Sequence, residues 1–208
     1  MSKVLFIIFS LVFFFSSCSV SHRNETIKEA ERLLDTAPDS TLYILELVLS
    51  DYAHLSDTEK AHFGILYYAA IDKTHRIFPP LDIIDHSINF YRRKNANIPL
   101  AKAFFYKSRA TQSSYSYQET LELLLNAYKY LNRNCYNLLG KIYYDKAVIA
   151  SSLKETKESI AYYRRAAHYF KLSGENRSLA LALLAMSVVY NQLEKDEDKL
   201  KELSLQAL

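Results

Sequence analysis

From Asn24 onward, apolar side chains return every three or four positions, the interval that gathers one face of an α-helix. Ile27, Ala30, Leu33 and Leu34 form the first such face, which ends at Ala37-Pro38. Asp39-Ser40 offers the next N-cap, and Leu42, Leu45, Val48 and Leu49 form a second stripe. Ser56 and Glu59 stand at capping-box spacing ahead of Phe63, Leu66, Tyr67, Ala70 and Ile71. The Pro79-Pro80 pair breaks the chain after Phe78, and Leu81, Ile84, Ile88 and Tyr91 carry a fourth helix.

Pro99 suits the first turn of a fifth helix with Ala103, Phe104, Tyr106 and Ala110. Ser113 to Ser116 reads as a turn, and Leu121, Leu124, Leu125, Tyr128 and Leu131 line a sixth helix. Residues 136–151 and 155–172 form the next pair, stopped by Ser173-Gly174. Residues 177–193 and 197–207 are expected to form the last. The pattern predicts an all-α protein of five antiparallel helix pairs joined by short loops. Three glycines, four prolines and abundant Leu, Ala, Lys and Glu agree with that.

The second half repeats itself. A shift of 39 carries Ser108, Tyr117, Leu124 and Ala127 onto Ala147, Thr156, Tyr163 and Ala166, and a further 40 carries Ala147 and Tyr163 onto Ser187 and Leu203. Such a period marks stacked helical units, none of which buries its apolar face alone. Three sets follow: Ser108, Thr111, Thr120, Leu124, Ala127; then Ala147, Ala150, Ser159, Tyr163, Ala166; then Ser187, Tyr190, Lys199, Leu203, Gln206. The tetratricopeptide repeat orders small, aromatic, small, bulky and small residues in this way. The second helices of the first two sets resemble it well, although Thr111 and Ala150 stand where the aromatic would be. The match weakens in the third set, where Lys199 and Gln206 replace small residues, and HEAT-like repeats share a period near 40. The resemblance covers residues 98–208. Residues 24–95 keep the alternation of helices with little of the motif. It implies hairpins stacked into a right-handed superhelix, an α-solenoid.

The amino terminus has a different character. Lys3 precedes a hydrophobic stretch of 12 residues, Val4 to Phe15, interrupted only by Ser10, as a secretory signal peptide needs. As a helix it spans roughly 18 Å, short of a hydrocarbon core about 30 Å thick. Phe15-Ser16-Ser17-Cys18 then resembles the lipobox of bacterial lipoproteins. That implies removal of residues 1–17, acylation of Cys18 and a short tether over residues 18–23. Ser19 follows in place of the Asp of inner-membrane retention, so the expected address is the cell envelope, on an outer membrane facing the periplasm. The run Leu34-Asp35-Thr36-Ala37-Pro38-Asp39-Ser40 ahead of an apolar helix also resembles envelope repeat proteins of Bacteroides-type bacteria.

Charge and chemistry narrow the function by exclusion. The formal net charge of +3 is small and evenly mixed, which argues against a nucleic-acid footprint, and Arg92-Arg93-Lys94 and Arg164-Arg165 read as solvated helix faces. With Cys18 acylated, Cys135 has no partner for an internal disulfide and reads as a packing thiol at a helix start. Asp82, Asp85 and His86 share a helix, where a local Asp82–His86 ion pair is expected rather than a metal site. No metal-ligand spacing, nucleophile elbow or phosphate-cradling glycine loop occurs, so neither an enzyme nor a cofactor is expected.

A tetratricopeptide scaffold binds through the exposed faces of its first helices. By the resemblance these positions are Lys102, Phe105, Arg109 and Gln112, then Lys141, Tyr144, Val148 and Ser151, then Leu181, Leu184, Val188 and Asn191. The row suits an extended peptide or helix with an acidic end. The expected function is therefore a lipid-anchored envelope scaffold for protein or peptide partners. An alternative is the sensory region of a signal-transduction or transcriptional regulator lacking its output segment. A glycan-binding lipoprotein is disfavoured because no Trp is present to stack on sugars. The chain ends at Leu208 without a polar capping helix, which suggests a truncated gene, a missing continuation or a partner that docks there, with self-association through the open final repeat among the candidates.

Overall fold

The computed structural model describes residues 24–112 and 117–206, with side chains described as far as Leu193. The signal segment, Cys18, the tether and the Ser113–Ser116 turn lie outside the described residues, as do the side chains of Lys199, Leu203 and Gln206. Among the described residues the secondary structure is helical, without strands. The elements are α1 (24–33), α2 (Pro38–Leu49), α3 (Asp57–Thr74), α4 (Asp82–Arg93), α5 (Asn97–Thr111), α6 (Tyr117–Lys129), α7 (Tyr136–Ser152), α8 (Thr156–Ser173) and α9 (Asn176–Gln206). The chain divides into two compact units, one ending at Ala110 and the other beginning at Thr111.

Local signals place the helix ends. Ser56 Oγ accepts the Glu59 N–H at 3.3 Å while Glu59 Oε2 accepts the Ser56 N–H at 2.8 Å, so the capping box of α3 is complete. Gly174 ends α8 at φ 73°, a conformation that costs glycine little. Two ends differ from expectation. Helix α2 begins at Pro38 with no side-chain cap, because proline there already has a helical φ and lacks only a donor that the helix would leave unpaired. The final pair does not form: α9 runs unbroken through 193–197, where Leu-Glu-Lys-Asp-Glu holds no residue that stops a helix.

In the first unit α3 packs against both α2 and α4. Its residues from Phe63 to Ile71 are all buried, so this helix is apolar round most of its circumference rather than along one stripe. In the second unit α7 packs against α6 and α8, and α8 against α9. Helices α7 and α8 run in opposite directions. Ser159, at the start of α8, reaches Ala147 near the end of α7, while Asn137 at the start of α7 meets Glu175 just past the end of α8. Their seam continues onto α9 through two clusters. One joins Tyr143, Ala166, Ala167, Phe170 and Ala182; the other joins Ala147, Ile160, Tyr163 and Val189.

One hydrogen bond recurs along the chain. Thr41 Oγ1 donates to the Ala30 carbonyl at 3.2 Å, Ser87 Oγ to Ala61 at 2.9 Å, and Ser159 Oγ to Ala147 at 2.9 Å. In each case a buried hydroxyl near the start or middle of one helix bonds a carbonyl beside a fully buried alanine of the helix before it. A helical carbonyl keeps a second lone pair, so the hydroxyl is satisfied without breaking the helix that supplies the acceptor. The alanine lets the backbone come close enough to be reached. Gly64 performs the same service between α3 and α4: a Cβ there would run into Ser87 Oγ and come within 2.9 Å of the Ile83 carbonyl.

These contacts separate two contributions to stability. Ser159→Ala removes one hydrogen bond and should cost about 1 kcal/mol. Ala147→Leu forces α7 and α8 apart and should cost more, about 1–3 kcal/mol. Urea unfolding of both variants checks the order, and a costlier serine variant would mean that the bond rather than the close approach sets the pairing.

Candidate binding surface

The structure distributes the expected groove positions unevenly. Lys102 is exposed on α5, but Phe105 is only 2% exposed and lies edge-on to Tyr106, with ring centroids 5.2 Å apart. Phe105 is thus a core residue and not a groove position, since its face of α5 is turned inward. Arg109 is half-buried and its Nε donates to Asp72 Oδ1 at 2.8 Å, which makes it a tie between α5 and α3. Gln112 and Lys141 are half-buried. Tyr144 packs edge-on against Tyr163 at 5.4 Å, and Val148 packs on the cluster that contains Val189. Both support the α7–α8–α9 seam. On α9, Leu184 and Val188 are 62% and 51% exposed, and Leu181 and Asn191 are exposed beside them.

Leu181, Leu184 and Val188 recur at helical spacing on a face of α9 separate from the one it turns to α8 through Ala182 and Val189. Helix α9 is therefore apolar on two faces, and only one of them is covered by described residues. A row of exposed large apolar side chains is a feature of interaction surfaces. Lys102 belongs to the first unit, while positions 141 to 191 gather in the second.

A second surface was not anticipated. Tyr136 and Tyr143 of α7 and Tyr162 and Tyr169 of α8 fall seven residues apart on facing helices. Tyr143 and Tyr169 stack at 5.6 Å with 14° between planes, and Tyr136 stacks on Tyr169 at 6.4 Å. Tyr162 lies 6.2 Å from Tyr143, and Tyr128 of α6 approaches Tyr143 edge-on at 6.1 Å. Two cations rest on these rings. Lys146 Nζ is 4.6 Å from the Tyr162 centroid and 5.7 Å from that of Tyr143, and the Arg165 guanidinium is 5.5 Å from Tyr143. Each contact contributes about 0.5–1 kcal/mol at an exposed site. The neighbouring Arg164 donates to the Tyr190 hydroxyl at 3.1 Å. So Arg164-Arg165 is more than a solvated charge run. The available sequence signal was tyrosine at i and i+7 on two consecutive helices, with a cation three positions after Tyr143 and after Tyr162.

The local field keeps these phenols neutral. Burial pushes Tyr143 up, Tyr128 adds to the effect, and a hydrogen bond from Arg165 partly opposes it. Burial, assisted by Tyr144 and Asp145, pushes Tyr163 up to about 12. In the first unit burial raises Tyr68, whose hydroxyl donates to the Pro80 carbonyl at 2.7 Å. The expected Asp82–His86 pair is replaced by other partners. His86 Nε2 meets the Asp57 carbonyl at 3.3 Å, and Asp85 takes Lys107 Nζ at 2.6 Å, because α3 and α5 lie within reach of this face of α4. Cys135 stands at the N-cap of α7 with its thiol donating to Asn132 Oδ1 at 3.1 Å. Among the described residues no three His, Cys, Asp or Glu side chains gather to hold a metal, and no helix is long and apolar enough to cross a membrane.

No family model, curated protein or solved structure matches the chain.

The raised phenol of Tyr163 has a consequence at high pH. A folded-state value above the usual 10 means that the native protein favours the neutral ring, so its contribution is present in full below pH 10. That contribution is lost as pH rises towards the value of about 12. Urea unfolding from pH 9 to 12 should show stability falling over this window, and Tyr163→Phe, which cannot ionise, should flatten the fall. An unchanged slope in the variant would assign the alkaline loss to other tyrosines.

Proposed function

We propose that the chain is a lipid-anchored scaffold of the cell envelope, built from tetratricopeptide-like helix pairs, that holds protein or peptide partners. The observation that carries this reading is the row of Leu181, Leu184 and Val188 left uncovered on α9. Repetition explains the row. A shift of 40 carries Tyr144 and Val148 onto Leu184 and Val188, and Tyr144 and Val148 pack in the seam that includes α9. The α9 residues therefore occupy the position at which one helix of such an array receives the next. An apolar helix of a partner satisfies the same face.

Burial supports the repeat assignment. Ser108, Thr111, Thr120, Leu124 and Ala127 are all buried, and so are Ala147, Ala150, Ser159, Tyr163 and Ala166. The recurring hydroxyl-to-alanine bond extends the same construction to residues 24–95, where the sequence motif is thin. In a tetratricopeptide array such pairs stack into a right-handed superhelix. The lipobox-like Phe15-Ser16-Ser17-Cys18 supports an anchor ahead of α1. Ser19 in place of Asp favours an outer membrane with the scaffold facing the periplasm, and the run over residues 34–40 favours an envelope of the Bacteroides type. Stable anchoring needs more than one acyl chain, and a diacylated or triacylated Cys18 meets that requirement.

Two experiments test the parts separately. Cys18→Ala should abolish labelling by radioactive palmitate and leave the protein as an uncleaved precursor; labelling of that variant would refute the anchor. Crosslinking and recovery from native membranes should yield partners that Leu184→Glu and Val188→Glu each deplete by about tenfold or more, because either change puts a charge into an apolar contact. Both side chains are mostly exposed, so circular dichroism should show the fold intact. Arg109→Glu is unsuitable for this purpose, since it would set a carboxylate against Asp72.

A further inference from the structure

We propose that the tyrosine-held cations Lys146 and Arg165 form a docking site for an acidic peptide segment of a partner protein. The inference rests on the scaffold reading above and names the chemistry of one partner. Helices α7 and α8 carry six Lys and Arg residues against two carboxylates, Asp145 and Glu158, and Asp145 is buried. Neither Lys146 nor Arg165 forms an ion pair among the described residues, although Glu158 lies one turn from Tyr162 on the same helix. The rings carry the cations instead. Tyr162 and Tyr143 hold Lys146 at 4.6 and 5.7 Å, and Tyr143 holds Arg165 at 5.5 Å.

This arrangement favours an anion for three reasons. A guanidinium or ammonium resting on a ring face keeps N–H donors for an oxyanion, whereas one locked in a salt bridge has used them. The stacked rings fix the position of both charges before a ligand arrives, which lowers the ordering cost of binding. Exposed Tyr128 on α6, edge-on to Tyr143, and exposed Leu125 one turn before it on the same helix offer apolar contact to a peptide with mixed acidic and apolar residues. A carboxylate-rich segment therefore fits better than a basic one, and a segment rather than a single ion uses the apolar flank.

The test uses the full chain in detergent and fluorescence anisotropy with a labelled 12-residue peptide of alternating Glu and Leu. A Lys/Leu peptide of equal length and phosphatidylglycerol vesicles are the other arms. The acidic peptide should bind and the basic one should not. Lys146→Gln with Arg165→Gln should weaken the acidic peptide about tenfold or more, while Lys157→Gln, on the same helix, should leave it unchanged. Equal binding of both peptides, an unaffected double variant, or double-variant-sensitive vesicle binding without peptide binding would each overturn the inference; the last would assign the site to a lipid surface. The scaffold reading has its own readout. If native partners are still lost with Leu184→Glu but not with the double glutamine variant, only the acidic site fails. If neither depletes them, both fail.

Discussion

The close approach of consecutive helices, made possible by alanine and sealed by a buried hydroxyl, is the constraint from which much of this protein follows. A serine or threonine is costly in a dry seam unless its hydroxyl is bonded, and a helical carbonyl offers the only acceptor that needs no second side chain. That bond forms only if nothing larger than a methyl group stands between the backbones. Ala30, Ala61 and Ala147 meet this requirement for Thr41, Ser87 and Ser159. The hydroxyl contributes little net energy. It does favour one position of the next helix, since a slip gives up the cross-helix bond and leaves the hydroxyl to a carbonyl of its own helix, such as Ile83, which Ser87 Oγ already reaches at 3.4 Å.

This constraint explains which parts of the fold the sequence disclosed. Helix faces were legible because burial follows the 3.6-residue interval, and Ile27, Leu45, Ile84 and Leu124 all lie where that interval puts them. The capping box at Ser56 and the stop at Gly174 were legible because each acts within a few residues. The recurring bond was not. Its partners are 11, 26 and 12 residues apart, and the connection containing Pro79-Pro80 lengthens the middle interval, so no fixed period exposes it. A search for repeats finds equal spacings, whereas packing conserves only the meeting of a small residue with a hydroxyl.

The candidate surface was less legible, for a related reason. Spacing assigns Phe105 and Leu184 to equivalent faces, yet one is core and the other is exposed. Whether such a face is wet depends on what covers it, and that is a property of neighbours rather than of the helix. Arg109 shows the same limit: its repeat position suggested a ligand contact, while Asp72, 37 residues away, had already taken its Nε. Tyrosines 136, 143, 162 and 169 stand at a seven-residue interval that a reading of the sequence alone passes over. Their partnership with Lys146 and Arg165 required knowing that α7 and α8 lie side by side.

Tyrosine is what allows one seam to serve both packing and recognition. A phenylalanine at 143 would pack as well, but its ring would offer Arg165 no oxygen and carries a weaker platform for a cation. A carboxylate there would hold Arg165 firmly and neutralise it. The tyrosine does something between these: it orders the guanidinium through its ring and hydroxyl without cancelling the charge. Since the phenol is pushed up by burial, it also stays neutral at physiological pH and never competes with an incoming carboxylate. With 17 tyrosines and no tryptophan, the chain relies in this seam on an aromatic side chain that fills space, orients a cation through ring and hydroxyl, and leaves its charge free for a partner.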